Sequence, residues 1–115
     1  MNQSFPKCER IRKRAEYLAV QGRGRKLHSD NFMVFYLAPG EAAPTRFGFT
    51  VSKKVGGAVQ RNHVKRLVRE VCRRHKSWFP TGTRLVFVAK RSAAEIDFAT
   101  AEREIGKLCG RHFPS

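Results

Sequence analysis

The stretch Phe49–Glu70, FTVSKKVGGAVQRNHVKRLVRE, changes its periodicity partway along, and that change sets the architecture. Up to Ser52 the period is two. Phe47, Phe49 and Val51 point one way while Gly48, Thr50 and Ser52 point the other, the pattern of a strand with one apolar face and one small, polar face. Lys53–Gly57 reads as a loop. From Ala58 to about Arg74 the period is helical, with Val64, Leu67, Val68, Val71 and Cys72 on one stripe.

Working outward, Pro80 and Gly82 mark a turn, and Leu85–Ala89 (LVFVA) is a continuous apolar run, a strand buried on both faces. Phe32–Leu37 (FMVFYL) is short, aromatic and β-rich, so it reads as another strand, and Pro39–Pro44 is loop-sized. Arg10 to about Gln21 reads as a short helix with Ile11, Ala15 and Leu18 on one face, ended by Gly22 and Gly24. A short strand near Arg25–His28 is compatible with this order. Asp97 is placed to cap a last helix whose Phe98, Ala101, Ile105, Leu108 and Cys109 face the core. The order α-β-β-α-β-α predicts an α+β sandwich, one sheet with about three helices, as a single domain over residues 1–115.

Charge narrows the function. The chain carries 24 Lys+Arg against 9 Asp+Glu, a formal net charge of +15, where about 2–8 suffices for the solubility of a small domain. Such an excess predicts a polyanionic partner. Of the basic residues, 17 fall in residues 1–27 and 53–76, while residues 92–105 are acidic on balance, so a basic side and a nearly neutral side are expected. No apolar run approaches a membrane span, and MNQSFPKCERIRKR carries charge where a signal peptide would be apolar. Three scattered cysteines fit a reducing compartment. A cytoplasmic protein is expected, with no membrane partner and no obligate protein partner.

The helix from residue 58 concentrates this charge. Asn62, Lys65, Arg66, Arg69 and Arg73 lie opposite its apolar stripe, with Arg61 at the edge, and Glu70 is read as lying off that face. Successive basic turns on a single face suit a row of phosphates. Thr50 and Ser52, on the polar strand face, are placed to meet phosphate or sugar oxygens.

The quoted segment resembles the signature region of the bacterial ribonuclease P protein subunit: a strand ending in an S-K-K-like step, a G-x-A-V loop, and R-N-R-x-K-R-x-x-R-E on the helix. The basic first helix with Tyr17, the aromatic strand, LVFVAK and the amphipathic last helix follow in the family's order. His63 stands where the motif has its second arginine, which implies a weakened RNA contact there. The resemblance implies a mostly antiparallel central sheet with a β-α-β crossover, left-handed in the family. It also implies a partnership with the catalytic RNA of ribonuclease P and with precursor tRNA, whose 5′ leader the holoenzyme removes using magnesium held mainly by the RNA. Position by position it implies RNA contacts from Lys53, Lys54, Arg61, Asn62, His63, Lys65, Arg66, Arg69 and Arg73. It further implies a leader cleft lined by Tyr17, Gln21, Met33, Phe35, Thr50 and Ser52, with Gln21 where the family often has an aromatic residue.

No catalytic residue is expected in the protein itself, because its carboxylates do not cluster in the basic region as metal-dependent phosphodiester chemistry requires. The pairs Cys72/His75 and Cys109/His112 nominally make a Cys2His2 set, but both cysteines fall on apolar helix faces and read as core, so no metal site is expected. Glu102 and Glu104 read as ordinary exposed acids. Two alternatives share the basic helix: a structural RNA-binding protein, such as a ribosomal protein or RNA chaperone, and a helix-based DNA-binding regulator. The latter calls for a helix-turn-helix pair where this chain has a strand and loop.

Overall fold

Alternating and helical apolar patterns become two layers and a half in the computed structural model, which describes residues 10–11, 13–37, 45–80 and 82–112; the loop expected over 39–44 lies outside them. Helix α1 spans Arg14–Arg23, and strands β1 and β2 span Arg25–His28 and Phe32–Leu37. They are followed by β3 (Arg46–Val51), α2 (Ala58–Arg74), β4 (Arg84–Ala89) and α3 (Phe98–His112). The strands form one mixed sheet in the order β1-β2-β4-β3. β1 and β4 each pair antiparallel with β2, and β3 pairs parallel with β4 across the α2 crossover. The α+β sandwich predicted from the element order is the fold found.

Register sorts the sheet residues onto two faces. Leu27, Val34, Phe87 and Phe49 make one row across the four strands, flanked by rows through Phe32 and Leu85. This face carries the main core. From α2 come Val64, Val68, Val71 and Cys72, and from α3 come Ala101, Ile105, Leu108 and Cys109, all buried. Removing each such aliphatic side chain from water stabilises the fold by about 1.5–3 kcal/mol. At the start of α3, Asp97 caps as expected: its Oδ1 accepts from the Thr100 N–H at 2.8 Å.

The first helix departs from its predicted form. Residues 10–11 are extended, bridging to Phe47, and the Ile11 N–H donates to the Phe47 carbonyl at 2.9 Å. A backbone pairing with the edge of β3 thus outcompetes helix initiation, and α1 starts four residues late. Of the predicted stripe Ile11, Ala15 and Leu18, Ile11 alone is buried. Ala15 is exposed and Leu18 is 54% exposed, while Val20 is fully buried with Ile11 and Val86, and Tyr17, Phe35, Leu37 and Val88 pack around them. Over a helix of 10 residues one apolar stripe is hard to tell from its neighbour. Gly22 lies inside the helix, and Gly24 closes it in an extended conformation, φ −82°. Glycine is needed at 24 for space, since a Cβ would strike the carbonyl oxygens of Val20 and Tyr36. The turn at Gly82 does use the left-handed region, φ 81°.

Two acids expected to be idle hold the structure together. Glu104 of α3 accepts from Ser29 Oγ (2.6 Å), from the Asn31 N–H (2.9 Å) and from Asn31 Nδ2, clamping the β1–β2 hairpin onto the helix. Glu102, leaving the same helix on another side, lies 2.7 Å from His75 Nε2, and the His75 ring stacks on Trp78 at 3.8 Å. His75 is therefore engaged in a helix-end contact, while Cys72 and Cys109 sit in the α2–α3 core. Burial pushes the Cys109 thiol up to about 12, and burial together with Cys109 raises that of Cys72 well above its ordinary value.

Candidate nucleic-acid interface

The second face of the sheet is only partly covered. Its rows run Lys26–Phe35–Val86–Gly48 and His28–Met33–Val88–Thr50. α1 crosses the first of these. The Tyr17 ring lies over Gly48, so close that a Cβ there would sit 2.7 Å from Tyr17 Cε1. The helix is tied down by Glu16, which bridges Arg46 (3.0 Å) on β3 and Arg84 (3.2 Å) on β4. Beside it the Met33–Val88–Thr50 row stays half-buried and open. Tyr17 and Gln21, one helical turn apart on α1, are both half-buried. Of the predicted cleft residues, Met33 and Thr50 share this row, Tyr17 packs over Gly48 beside it, and Phe35 lies in the row that α1 crosses.

Ser52 departs from that set. β3 ends at Val51, and the Ser52 Oγ accepts from the Lys54 N–H at 3.3 Å, capping the 3-10 turn Lys53–Val55. A serine hydroxyl beside a free turn N–H finds a local partner, which alternation alone does not reveal. The residue missed from the sequence is Val88, half-buried between Met33 and Thr50, together with Gly48, which is buried beneath the Tyr17 ring and seats it. The glycine is the one signal that was available, since a small residue on a strand face leaves room for something to lie on it.

The turn presents Lys53 and Lys54, both exposed, immediately before the first residues of α2. On α2, Asn62, His63, Arg66 and Arg69 are exposed and Arg61 and Lys65 half-buried. Lys65 borders one small crevice with Thr50 and Val51, which joins the helix face to the end of the cleft strand. The Arg69 guanidinium stands over the Phe49 ring at 5.8 Å, which steers a long side chain without neutralising it. Arg61 keeps its Nε buried with no hydrogen-bond partner among the described residues, a donor whose desolvation is uncompensated.

Arg73 is not the free cation expected. Glu70 grips it with two hydrogen bonds of 2.8 and 2.7 Å and also accepts from Arg74 Nε at 2.9 Å. Those bonds, Arg73's foremost, outweigh burial and hold the Glu70 carboxyl near 2. The carboxylate read as lying off the face in fact reaches three residues along the helix to this basic column. The cationic surface therefore runs from Lys53 to Arg69 and closes at Glu70.

These features define a compact basic α+β protein with one cationic helix face set against one strand-lined cleft. The family model for ribonuclease P matches residues 5–112. The ribonuclease P protein component of Citrifermentans bemidjiense is 44% identical over 108 residues, covering 94% of this chain and 91% of the relative. That of Desulfovibrio desulfuricans is 44% identical over 96% of this chain and 89% of its own length. Among solved structures, the ribonuclease P protein of Staphylococcus aureus superposes with a TM-score of 0.83 at 27% identity, covering 93% of this chain and 97% of that one. The protein from Thermotoga maritima gives 0.80 at 32% identity, covering 90% and 96%. The chain belongs to the ribonuclease P protein family.

Proposed function

We propose that this protein binds the catalytic RNA of ribonuclease P through the Lys53–Arg69 surface and holds the 5′ leader of precursor tRNA in the cleft beside α1. The observation that carries the reading is the adjacency of the two surfaces: β3 supplies Thr50 to the cleft and runs directly into the Lys53–Lys54 turn and α2. One unpaired strand needs apolar and aromatic surface for its bases and cations for its backbone. Tyr17, Met33 and Phe35 offer the first, and Lys65 at the strand end offers the second. In this reading the protein positions substrate, in the cytoplasm, and the RNA carries the hydrolysis.

Magnesium belongs with the RNA. Among the described residues no His, Cys, Asp or Glu cluster suits a metal ion, and Glu70, the carboxylate nearest the basic face, is spent on two arginines. The described residues offer no cluster that fits a magnesium site of its own.

The test is the affinity of holoenzyme, reconstituted with a bacterial ribonuclease P RNA, for precursor tRNAs of graded leader length and for mature tRNA. Affinity that rises as the leader lengthens to fill the cleft supports the reading. Equal affinity for precursor and mature tRNA refutes the leader assignment and favours a purely structural RNA-binding role.

A further inference from the structure

The acidic balance of residues 92–105 predicts a nearly neutral side for the molecule, but its acids and bases are sorted in space. Glu104 is held by Ser29 and Asn31 of the β1–β2 hairpin and Glu102 by His75, while the exposed Glu95 and Asp97 precede α3. What α3 leaves exposed instead is Arg103, Lys107 and Arg111, spaced i, i+4, i+8 and so aligned on one face at steps of about 6 Å. None of the three makes an ion pair among the described residues; Arg103 acts on the exposed Asp97 only through space, helping to lower its pKa. Like charges one turn apart destabilise a helix. The helix dipole accounts for Arg111 in the last turn but not for Arg103 in the second.

These cations line a groove of about 370 Å³ between α3 and the β1–β2 hairpin, closed on the far side by Ser29, Asp30 and Asn31. Its wall is fixed, because Glu104 bonds the hairpin to the helix and Lys90 Nζ donates to the Ser29 carbonyl at 2.7 Å. The groove lies on the Glu104 flank of α3, away from the Glu102 flank that meets the end of α2, and beside β1, the sheet edge opposite β3. It is thus a different surface from the Lys53–Arg69 face. Of the two acids lining it, Glu104 is held by the hairpin and the Asp30 carboxylate has no hydrogen bond among the described residues.

We propose that this groove is a second RNA-backbone site, taking a phosphodiester segment of the catalytic RNA distinct from the one on α2. Three aligned, unpaired cations along a rigid trough match a row of phosphates, and the trough's lining is mostly polar, with Leu108 its apolar side chain, so the contact is with backbone and independent of sequence. The inference rests on the RNA-binding reading above and adds a second point of attachment to it.

The experiment measures affinity of the full-length protein for a bacterial ribonuclease P RNA over a range of salt concentration. The triple variant Arg103→Gln/Lys107→Gln/Arg111→Gln, the α2 variant Lys65→Gln/Arg69→Gln and their combination are compared with wild type, each checked for an unchanged thermal melt. The triple variant is expected to lose about two units of log–log salt slope, at roughly 0.7–0.9 per phosphate contact. The combined variant is expected to lose the sum. Asp30→Asn, an isosteric change that keeps the backbone contacts of the hairpin, is expected to steepen the slope. A wild-type slope in the triple variant, with the α2 variant weakened, overturns the second site and leaves the first standing. Wild-type slopes in both overturn the RNA-binding reading itself, and the second site with it.

Discussion

Gly48→Ala adds a single methyl group at the point where α1 rests on the sheet. That methyl carbon would sit 2.7 Å from Tyr17 Cε1, 2.9 Å from Cζ and 3.0 Å from the hydroxyl, where ordinary contact begins at 3.4 Å. The ring has to retreat by about 0.7 Å at least. Glu16 resists the move from one side, bridged to Arg46 and Arg84, and fully buried Val20 resists it from the other. Overpacking of this kind costs about 1–3 kcal/mol, and the half-exposed ring places it at about 1–2. For a chain of this size that is a fall in Tm of about 4–10 °C, readable by far-ultraviolet circular dichroism. Tyr17→Ala removes the obstacle, so in that background Gly48→Ala should be close to neutral, a coupling of about 1–2 kcal/mol in the double-mutant cycle. The same displacement takes the Tyr17 ring off its bearing. A base stacked on it is worth about 1–3 kcal/mol, so holoenzyme carrying Gly48→Ala should lose about 5-fold or more of its preference for precursor over mature tRNA. Additive stability effects for the two substitutions would refute the packing of Tyr17 on Gly48. A normal Tm loss with full leader preference would refute the role of the ring in the cleft.

Three more outcomes follow from the contacts described. Glu104→Ala, which frees three donors on the β1–β2 hairpin, should cost about 2–3 kcal/mol of stability by chemical denaturation, and Glu104→Gln less, since one oxygen still accepts from Asn31; a loss under about 0.5 kcal/mol for the alanine would show that the clamp contributes nothing net. Glu70→Gln should release Arg73 and Arg74 and steepen the salt dependence of RNA binding by up to about one unit. Because the folded Glu70 carboxyl sits near 2 against an ordinary 4.5, its stabilisation is complete above about pH 4.5 and is lost as pH falls through 2. Between those values the melt of Glu70→Gln should therefore fall less with acid than that of wild type, and parallel curves would contradict the ion pair. In a Cys8→Ser background, Cys72 and Cys109, buried and held as thiols, should resist a thiol-specific disulfide reagent at pH 8 until the protein unfolds; labelling at native rates typical of free cysteine would contradict their placement in the core.

The parts of this fold that could be read from the sequence are those with a strong local period. Phe32–Leu37 and the α2 stripe at Val64, Val68, Val71 and Cys72 repeat over enough residues for burial to leave a clear mark. The first helix lacked that mark, and its start was decided by a backbone bond from Ile11 to Phe47 that no residue type encodes. The basic helix was legible as charge, but its extent was not. Glu70 reaches Arg73 and Arg74 through side-chain geometry, and which of several cations an acid captures depends on rotamers rather than on spacing. Thr50 was legible from the polar face of its strand, but its neighbours were not, because Met33 and Val88 align with it only through strand pairing and Tyr17 reaches Gly48 only through the docking of α1. Summing charge over residues 92–105 hid the cationic line on α3, since the sum does not show that Glu102 and Glu104 are held by His75 and the hairpin while Arg103, Lys107 and Arg111 share one exposed face.

The proposed division of labour, a cationic helix for a catalytic RNA and a cleft for the 5′ leader, is decided by cleavage of a precursor tRNA by a bacterial ribonuclease P RNA at low magnesium, with and without the protein. The protein should strongly stimulate cleavage, Lys65→Ala/Arg69→Ala should weaken the stimulation, and truncating the leader below the length of the cleft should reduce it. Equal cleavage with and without the protein, at concentrations where the RNA is saturated with it, would contradict that division.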